Sequence, residues 1–279
     1  VNIHRANVLW YNPTILSENG VDVPTSLDEW FAAMDALQAA GMDAPLAMGE
    51  QWTAMHLFET VLLASLGPDA YEALWDGSGD WGSAEVTAAL EDYAKVLTYV
   101  NSDASALTWQ DASQLVVNGD AAFNVMGDWA AGYYLVDNAL EPGTGFAWAA
   151  SPGTDGVFMM LSDTFGLPKG APHPDNVRAW LSFIGSAEAQ DIFNPLKGSL
   201  PANTSAQSGD AALYNAYFQD AYEDWTTNAI VGSQAHGAVA PAAFSDGFLN
   251  IIASFQSTKD GVSASAAAAA LAIQTGIGG

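Results

Sequence analysis

Five side chains in this chain are of kinds that could grip a small ligand, and each stands at the end of an element or in a loop. Thr108-Trp109-Gln110-Asp111 and Met126-Gly127-Asp128-Trp129 each place a tryptophan in the first turn of a helix that follows a strand or loop. An indole at such an end offers a broad flat face for stacking. Leu161-Ser162-Asp163-Thr164-Phe165 sets one carboxylate between two short apolar runs, and Lys197 lies in a stiff stretch between Pro195 and Pro201. His236 stands in the Gly-rich loop Gly232-Ser233-Gln234-Ala235-His236-Gly237. An acceptor, a cationic donor and an imidazole complete a set that could satisfy polar groups around an apolar face. Taken singly, each residue also has an ordinary reading. Tryptophans at helix starts are packing residues more often than binding ones, and a loop lysine or histidine is usually a solvated side chain.

Other chemistries find less support. There is no GxGxxG opening a helix, no Walker lysine and no GxSxG elbow, so nucleotide and serine-hydrolase chemistry lack their motifs. The four histidines, at positions 4, 56, 173 and 236, never take the i, i+4 spacing that puts two imidazoles on one helix face, and no metal is expected. With 32 acidic residues, close carboxylate pairs are inevitable and do not identify a glycosidase. The absence of cysteine removes thiolate chemistry and disulfides. A net charge of −26, with six basic side chains, repels phosphate backbones and anionic lipid surfaces, so nucleic acid is not an expected partner. The same acid excess suits solubility in high salt, where counterions screen self-repulsion. No stretch reaches the ~18 consecutive apolar residues of a membrane span.

The sequence around these side chains reads as α/β. The opening run VNIHRANVLWYN is a strand already in progress, closed by Asn12-Pro13. Ser26-Leu27-Asp28-Glu29 has the form of a capping box, with Glu29 reaching back to the cap, ahead of a helix over 27–40. Further helices are expected over 51–65, 83–99, 108–118, 128–138, 174–184, 187–193, 211–222, 242–255 and 264–274. Brief buried strands are expected at 45–48, 121–125, 146–150, 158–161, 164–167 and 230–231. Pro and Gly at 151–153 and 200–202 mark crossings between structural units.

In order along nearly the whole chain, HRANVLWYN, TSLDEWFAAMDAL, TWQDA, GDW, SDTFGLPKGA, NPLKGSLPA and GSQAHG resemble the extracellular solute-binding proteins of carbohydrate ABC transporters, family 1 type, closest to the glucose-binding branch. The resemblance implies the two-lobed type II periplasmic-binding-protein fold, here mostly the second lobe plus the returning segment of the first. Residues 1–160 and 204–279 would form the second lobe, residues 161–203 would belong to the first, and the N-terminal part of the first lobe would lie ahead of Val1. By the same resemblance Trp109, Trp129, Asp163, Lys197 and His236 hold a monosaccharide such as glucose, with His4 and Asn7 as weaker candidates or hinge residues. It implies a non-enzymatic binder without cofactor or metal, whose partner is the membrane permease of an ABC importer. Its location would be extracellular or periplasmic, with any lipid anchor ahead of Val1. The apolar side of 174–184 (Val177, Trp180, Leu181, Ile184) would need covering, by the missing segment or in a dimer. A carbohydrate-processing enzyme and an interaction module without a small ligand remain the alternative readings.

Overall fold

The computed structural model describes residues 1–240, 242–258 and 261–275. The opening run is two strands and not one: β1 (Asn2–Arg5) and β2 (Val8–Tyr11) lie in different sheets. Asn7 makes the exchange possible. Its buried side chain accepts from Met159 N and donates to Thr154 Oγ1 and Val157 O, replacing ladder hydrogen bonds where the chain turns from one sheet into the other.

After β2 come α1 (Pro13–Asn19), α2 (Leu27–Ala39), β3 (Leu46–Ala47), α3 (Gln51–Leu66), α4 (Pro68–Asp76) and α5 (Ala84–Val96). Then follow α6 (Trp109–Asn118), β4 (Phe123–Met126) and α7 (Trp129–Gly132), which runs on as a π turn over Tyr133–Asp137. β5 (Ala147–Ala150), β6 (Val157–Leu161), α8 (Pro174–Ile184), α9 (Ala187–Lys197), β7 (Leu200–Pro201), α10 (Ala216–Thr227), β8 (Ala229–Gly232), α11 (Ala242–Thr258) and α12 (Gly261–Thr275) complete the order. One sheet runs β3-β4-β2-β5 and the other β7-β1-β6-β8. β2 pairs antiparallel with β4 and β5, β1 antiparallel with β6 and β7, while β3–β4 and β6–β8 are parallel.

α3 is the hub. Every residue from Thr53 to Leu63 is buried, and apolar side chains are spread around the whole helix, as in a helix enclosed by neighbours, with His56 and Glu59 among the buried polar groups. α5 and α11 pack along it, with Phe58 against Tyr93 and Phe248.

Several expectations are corrected. Residues 164–167 form no strand, because β6 ends at Leu161 opposite His4 and the segment beyond it is exposed. Ser26 does cap α2, yet Glu29 reaches past it to the amide and hydroxyl of Thr25. The reciprocal box belongs to α6, between Thr108 and Asp111. α10 starts five residues later than expected, where Asn215 accepts from Phe218 N. The helix expected over 128–138 is α only to Gly132, and α9 runs on to Lys197. α1 and α4 lie outside the expected helices; each opens with a proline at its first position, a place where the missing N–H costs nothing.

Candidate functional site

Gly127 allows the site to form. A Cβ there would lie 2.1–2.5 Å from the six-membered ring of Trp129, so only glycine lets the indole fold back over the chain. Asp128, fully buried, ties this turn to β1 by accepting from His4 Nδ1 and from Arg5 N at 3.0 Å. Two further glycines bring α9 against α7. A Cβ on Gly198 would meet Asp128 O and Gly132 N at 2.9 Å, and one on Gly132 would meet Leu196 O at 3.0 Å. Gly198 also takes φ +81°, the left-handed conformation that closes α9. This backbone contact delivers Lys197 to the side of Trp129.

The result is a cleft of about 320 Å³ lined by three indoles, Trp52, Trp109 and Trp129, by two imidazoles, His4 and His236, and by Asp163 and Lys197, with Leu161 and Ala235 completing it. That volume lies at the small end of ordinary ligand pockets, roughly 300–1,000 Å³. A larger depression, about 420 Å³, lies between residues 20–25 and α2; it holds Asp22 and Glu29, no aromatic side chain, and Glu29 is already bonded to Thr25.

The electrostatics fix the roles of the polar groups. His4 is buried with Asp128 on one nitrogen and Asp163 Oδ2 3.3 Å from the other. Burial opposes its charge, but the Asp128 carboxylate and the hydrogen bonds to Asp128 and Asp163 outweigh that, and its pKa is raised. Asp163 in turn is held well below the usual carboxylate range, chiefly by the hydrogen bond from His4, with help from Asn2 and the charge of Lys197 against the effect of burial. Asn2 grips it twice, donating to Oδ2 at 3.2 Å and accepting from Asp163 N at 3.0 Å. Its side chain remains half exposed, an ionised acceptor presented to the cleft. Lys197 makes no side-chain hydrogen bond among the described residues, so its ammonium is available as a donor.

His236 donates or accepts at Nδ1 toward Ser233 Oγ, 2.8 Å away. Burial, with the neighbouring His56 and His4, pushes its pKa well below the imidazole value. Behind it stand His56 and Glu59 on α3; one ligand atom from each of His56, Glu59 and His236 lies within 4.8 Å of the others.

The structure thus brings Trp109, Trp129, Asp163, Lys197 and His236 around one cleft, together with His4. It does not bring Asn7, which is buried at the crossing between sheets. Sequence reasoning missed Trp52, although Gly49-Glu50-Gln51-Trp52 carries the same signature used for the other two, a tryptophan in the first turn of a helix after a loop. It missed His56 and Glu59 as well. Their i, i+3 spacing places them on one face of α3, but His236 joins them only through the fold.

A family model described as bacterial extracellular solute-binding protein matches residues 1–191. An uncharacterized ABC transporter extracellular-binding protein of Pyrococcus horikoshii is 37% identical over 265 residues, covering 93% of this chain and 59% of its own length. The xylose/arabinose-binding protein of Haloferax volcanii is 32% identical over 264 residues, covering 89% and 56%. Among solved structures, a chitin oligosaccharide binding protein superposes with a TM-score of 0.82 at 15% identity, covering 100% of this chain and 71% of its own. The fold is therefore that of the two-lobed periplasmic binding proteins, and the chain spans about three fifths of the length of the curated relatives it matches. The chain belongs to the bacterial extracellular solute-binding proteins.

Proposed function

We propose that this chain is the ligand-holding part of the substrate-binding component of an ABC importer, taking a monosaccharide such as glucose outside the cytoplasmic membrane and passing it to a permease. The observation that carries the reading is the meeting of three indoles with an ionised carboxylate and a lysine in one small cleft. A pyranose packs its C–H face on an indole and turns its hydroxyls outward. Trp109 and Trp129, joined by Trp52, supply the faces, Asp163 accepts from hydroxyls, Lys197 donates, and His236 meets the remaining edge. The extracellular family and the sugar-binding relatives support this assignment.

Binding is favoured over cleavage because, among the described residues, the lining offers a single carboxylate, Asp163, whereas glycoside hydrolysis generally uses two across the scissile bond. Residues 1–160 and 204–279 are assigned to one lobe and 161–203 to the other. Of the apolar side expected on α8, Ile184 is already buried within the chain, and Val177 and Leu181 are half-buried. The exposed part, Trp180 at 45% with Phe183 at 51% exposure, is assigned to contact with the remainder of the first lobe or a second copy. One observation favours a longer saccharide: a groove of about 390 Å³ shares Trp109, Trp129 and Lys197 with the cleft and continues past Gln110 and Tyr133.

The test is intrinsic tryptophan fluorescence of the chain titrated with glucose, galactose, xylose and a disaccharide, with Trp129→Ala as control. A saturable change with a monosaccharide that vanishes in the control is expected. Tighter binding of the disaccharide moves the assignment to the longer ligand. No response in folded protein, or cleavage of any sugar, sinks the binding reading.

A further inference from the structure

Glu59 is buried on α3, behind the cleft, and three groups of the His236 loop point hydrogens at it. Ser233 Oγ lies 2.5 Å from Oε1, while Gln234 N and Ala235 N donate to Oε2 at 2.7 and 3.0 Å. A hydroxyl has one proton to give. When Glu59 is ionised, Ser233 donates to it and can only accept from the ring 2.8 Å away, so His236 carries its hydrogen on Nδ1 and leaves Nε2 as a bare lone pair. His56 is fixed by the same logic: its Nε2 faces Ala6 O at 2.8 Å, a group that only accepts, which leaves Nδ1 bare. Both bare nitrogens are buried without a hydrogen-bond partner among the described residues, on perpendicular rings 5.1 Å apart.

We propose that Glu59, acting through Ser233, is a positioning residue that sets the tautomer of His236, making that side of the cleft a hydrogen-bond acceptor that selects sugars presenting a hydroxyl donor there. The proposal rests on the sugar-binding reading for its ligand, not for its relay. His236 lines the cleft, but its Nε2 is closed to water. A buried acceptor without a donor is costly, so a ligand that brings an O–H to Nε2 as it displaces the covering side chains is favoured over one that brings an ether or fluorine, which offer only lone pairs. The alternative use of the cluster, as a metal site, is less well served. Glu59 already accepts three hydrogen bonds and His236 Nδ1 is engaged with Ser233.

The titratable groups facing Glu59 are Tyr71 from α4, His56 from its own helix and His236 from the loop. Burial pushes Tyr71 well above its usual range, His56 down to about 4 and His236 well below its own, so all three are neutral near pH 7. Burial also lifts Glu59 to about 7, against the hydrogen bonds from Ser233 and the two amides. The relay therefore runs in the stated sense above neutral pH. Below it, the carboxyl donates to Ser233, Ser233 donates to Nδ1, and the ring hydrogen sits on Nε2; the system has taken up one proton, held by Glu59.

The experiment is long-range ¹H–¹⁵N correlation of histidine-labelled protein without sugar, at about pH 8.5, well above an ordinary carboxylate. The wild type is expected to show His236 with Nδ1–H. In Glu59→Gln the amide oxygen keeps the two backbone donors and the NH₂ must donate to Ser233, so His236 is expected to switch to Nε2–H; Ser233→Ala is expected to remove the preference. Nε2–H in the wild type, or no switch in a folded Glu59→Gln protein, overturns the relay. Stoichiometric zinc binding that shifts both His56 and His236 overturns it in favour of a metal site. With the relay established, deoxyfluoro derivatives of the bound sugar test selection. At one position, fluorine is expected to weaken wild-type binding about tenfold or more, with most of that penalty lost in Glu59→Gln. An equal penalty in both proteins overturns selection alone, and no sugar binding by any variant overturns the sugar reading while the relay stands.

Discussion

On one side of the cleft, Trp52 projects from α3, a helix buried from Thr53 to Leu63, and Trp129 is seated by Gly127. On the other side, Asp163 and Lys197 belong to a segment whose Phe165, Trp180 and Phe183 are 43%, 45% and 51% exposed. The aromatic face is held by packing, so its position cannot change without disturbing the core. The polar edge is held by a few hydrogen bonds and by charge, chiefly through His4 and Asn2. The contrast suggests a division of labour: the first side fixes where a ring can lie, and the second adjusts to what surrounds it.

The packed side is most vulnerable at Gly127. Gly127→Ala is expected to push the Trp129 indole out of its seat, abolish the sugar-induced fluorescence change and cost about 1–3 kcal/mol of stability from overpacking, read by urea denaturation. A variant that binds normally would show that packing does not fix the indole. Asp163→Asn probes the other side. It removes an ionised acceptor worth about 1.5–3 kcal/mol, or roughly 10- to 150-fold in Kd by calorimetry. It should also lower the thermal midpoint at neutral pH, because a carboxylate held below its usual range by His4 and Asn2 stabilises the fold, an effect reduced by its half exposure.

His4 joins the two sides, and pH sharpens its contribution. Because its folded pKa is raised, the stability it adds is complete below the ordinary imidazole value of about 6.5 and is lost as pH rises through the folded value. Thermal midpoints across this range should fall more steeply in the wild type than in His4→Gln; parallel curves would remove His4 from the clamp. The smallest effect is expected at Trp180→Ser with Phe183→Ser, within about 0.5 kcal/mol of wild type per site. Any self-association seen by light scattering should weaken in the same variant.

The same contrast explains what could be read from the sequence. Helices such as α2 and α6 are legible because their caps and apolar spacing are local, and α8 because Pro174 opens it and its apolar spacing is equally local. The run at 164–167 has the composition of a strand, but a strand needs a neighbour, and nothing local says that β6 stops at Leu161. Trp109, Trp129, Asp163, Lys197 and His236 were singled out by type, context and family resemblance, and the fold gathers them. Glu59 was invisible as part of the site, since a carboxylate inside a helix declares its partner only when the His236 loop closes over it. Asn7 was visible, but its backbone-replacing hydrogen bonds, not the cleft, account for its burial.

The contact of Gly132 with Gly198 is made of backbone, with no side chain contributing. Its tolerance to mutation should therefore be uneven over very short distances. In a saturation library, nearly every replacement at either glycine would be lost, while neighbouring Lys197 could vary with consequences only for which ligand is retained. A lineage carrying this contact can exchange the residue that meets the ligand and keep the joint that presents it, so substrate preference can drift without renegotiating the fold.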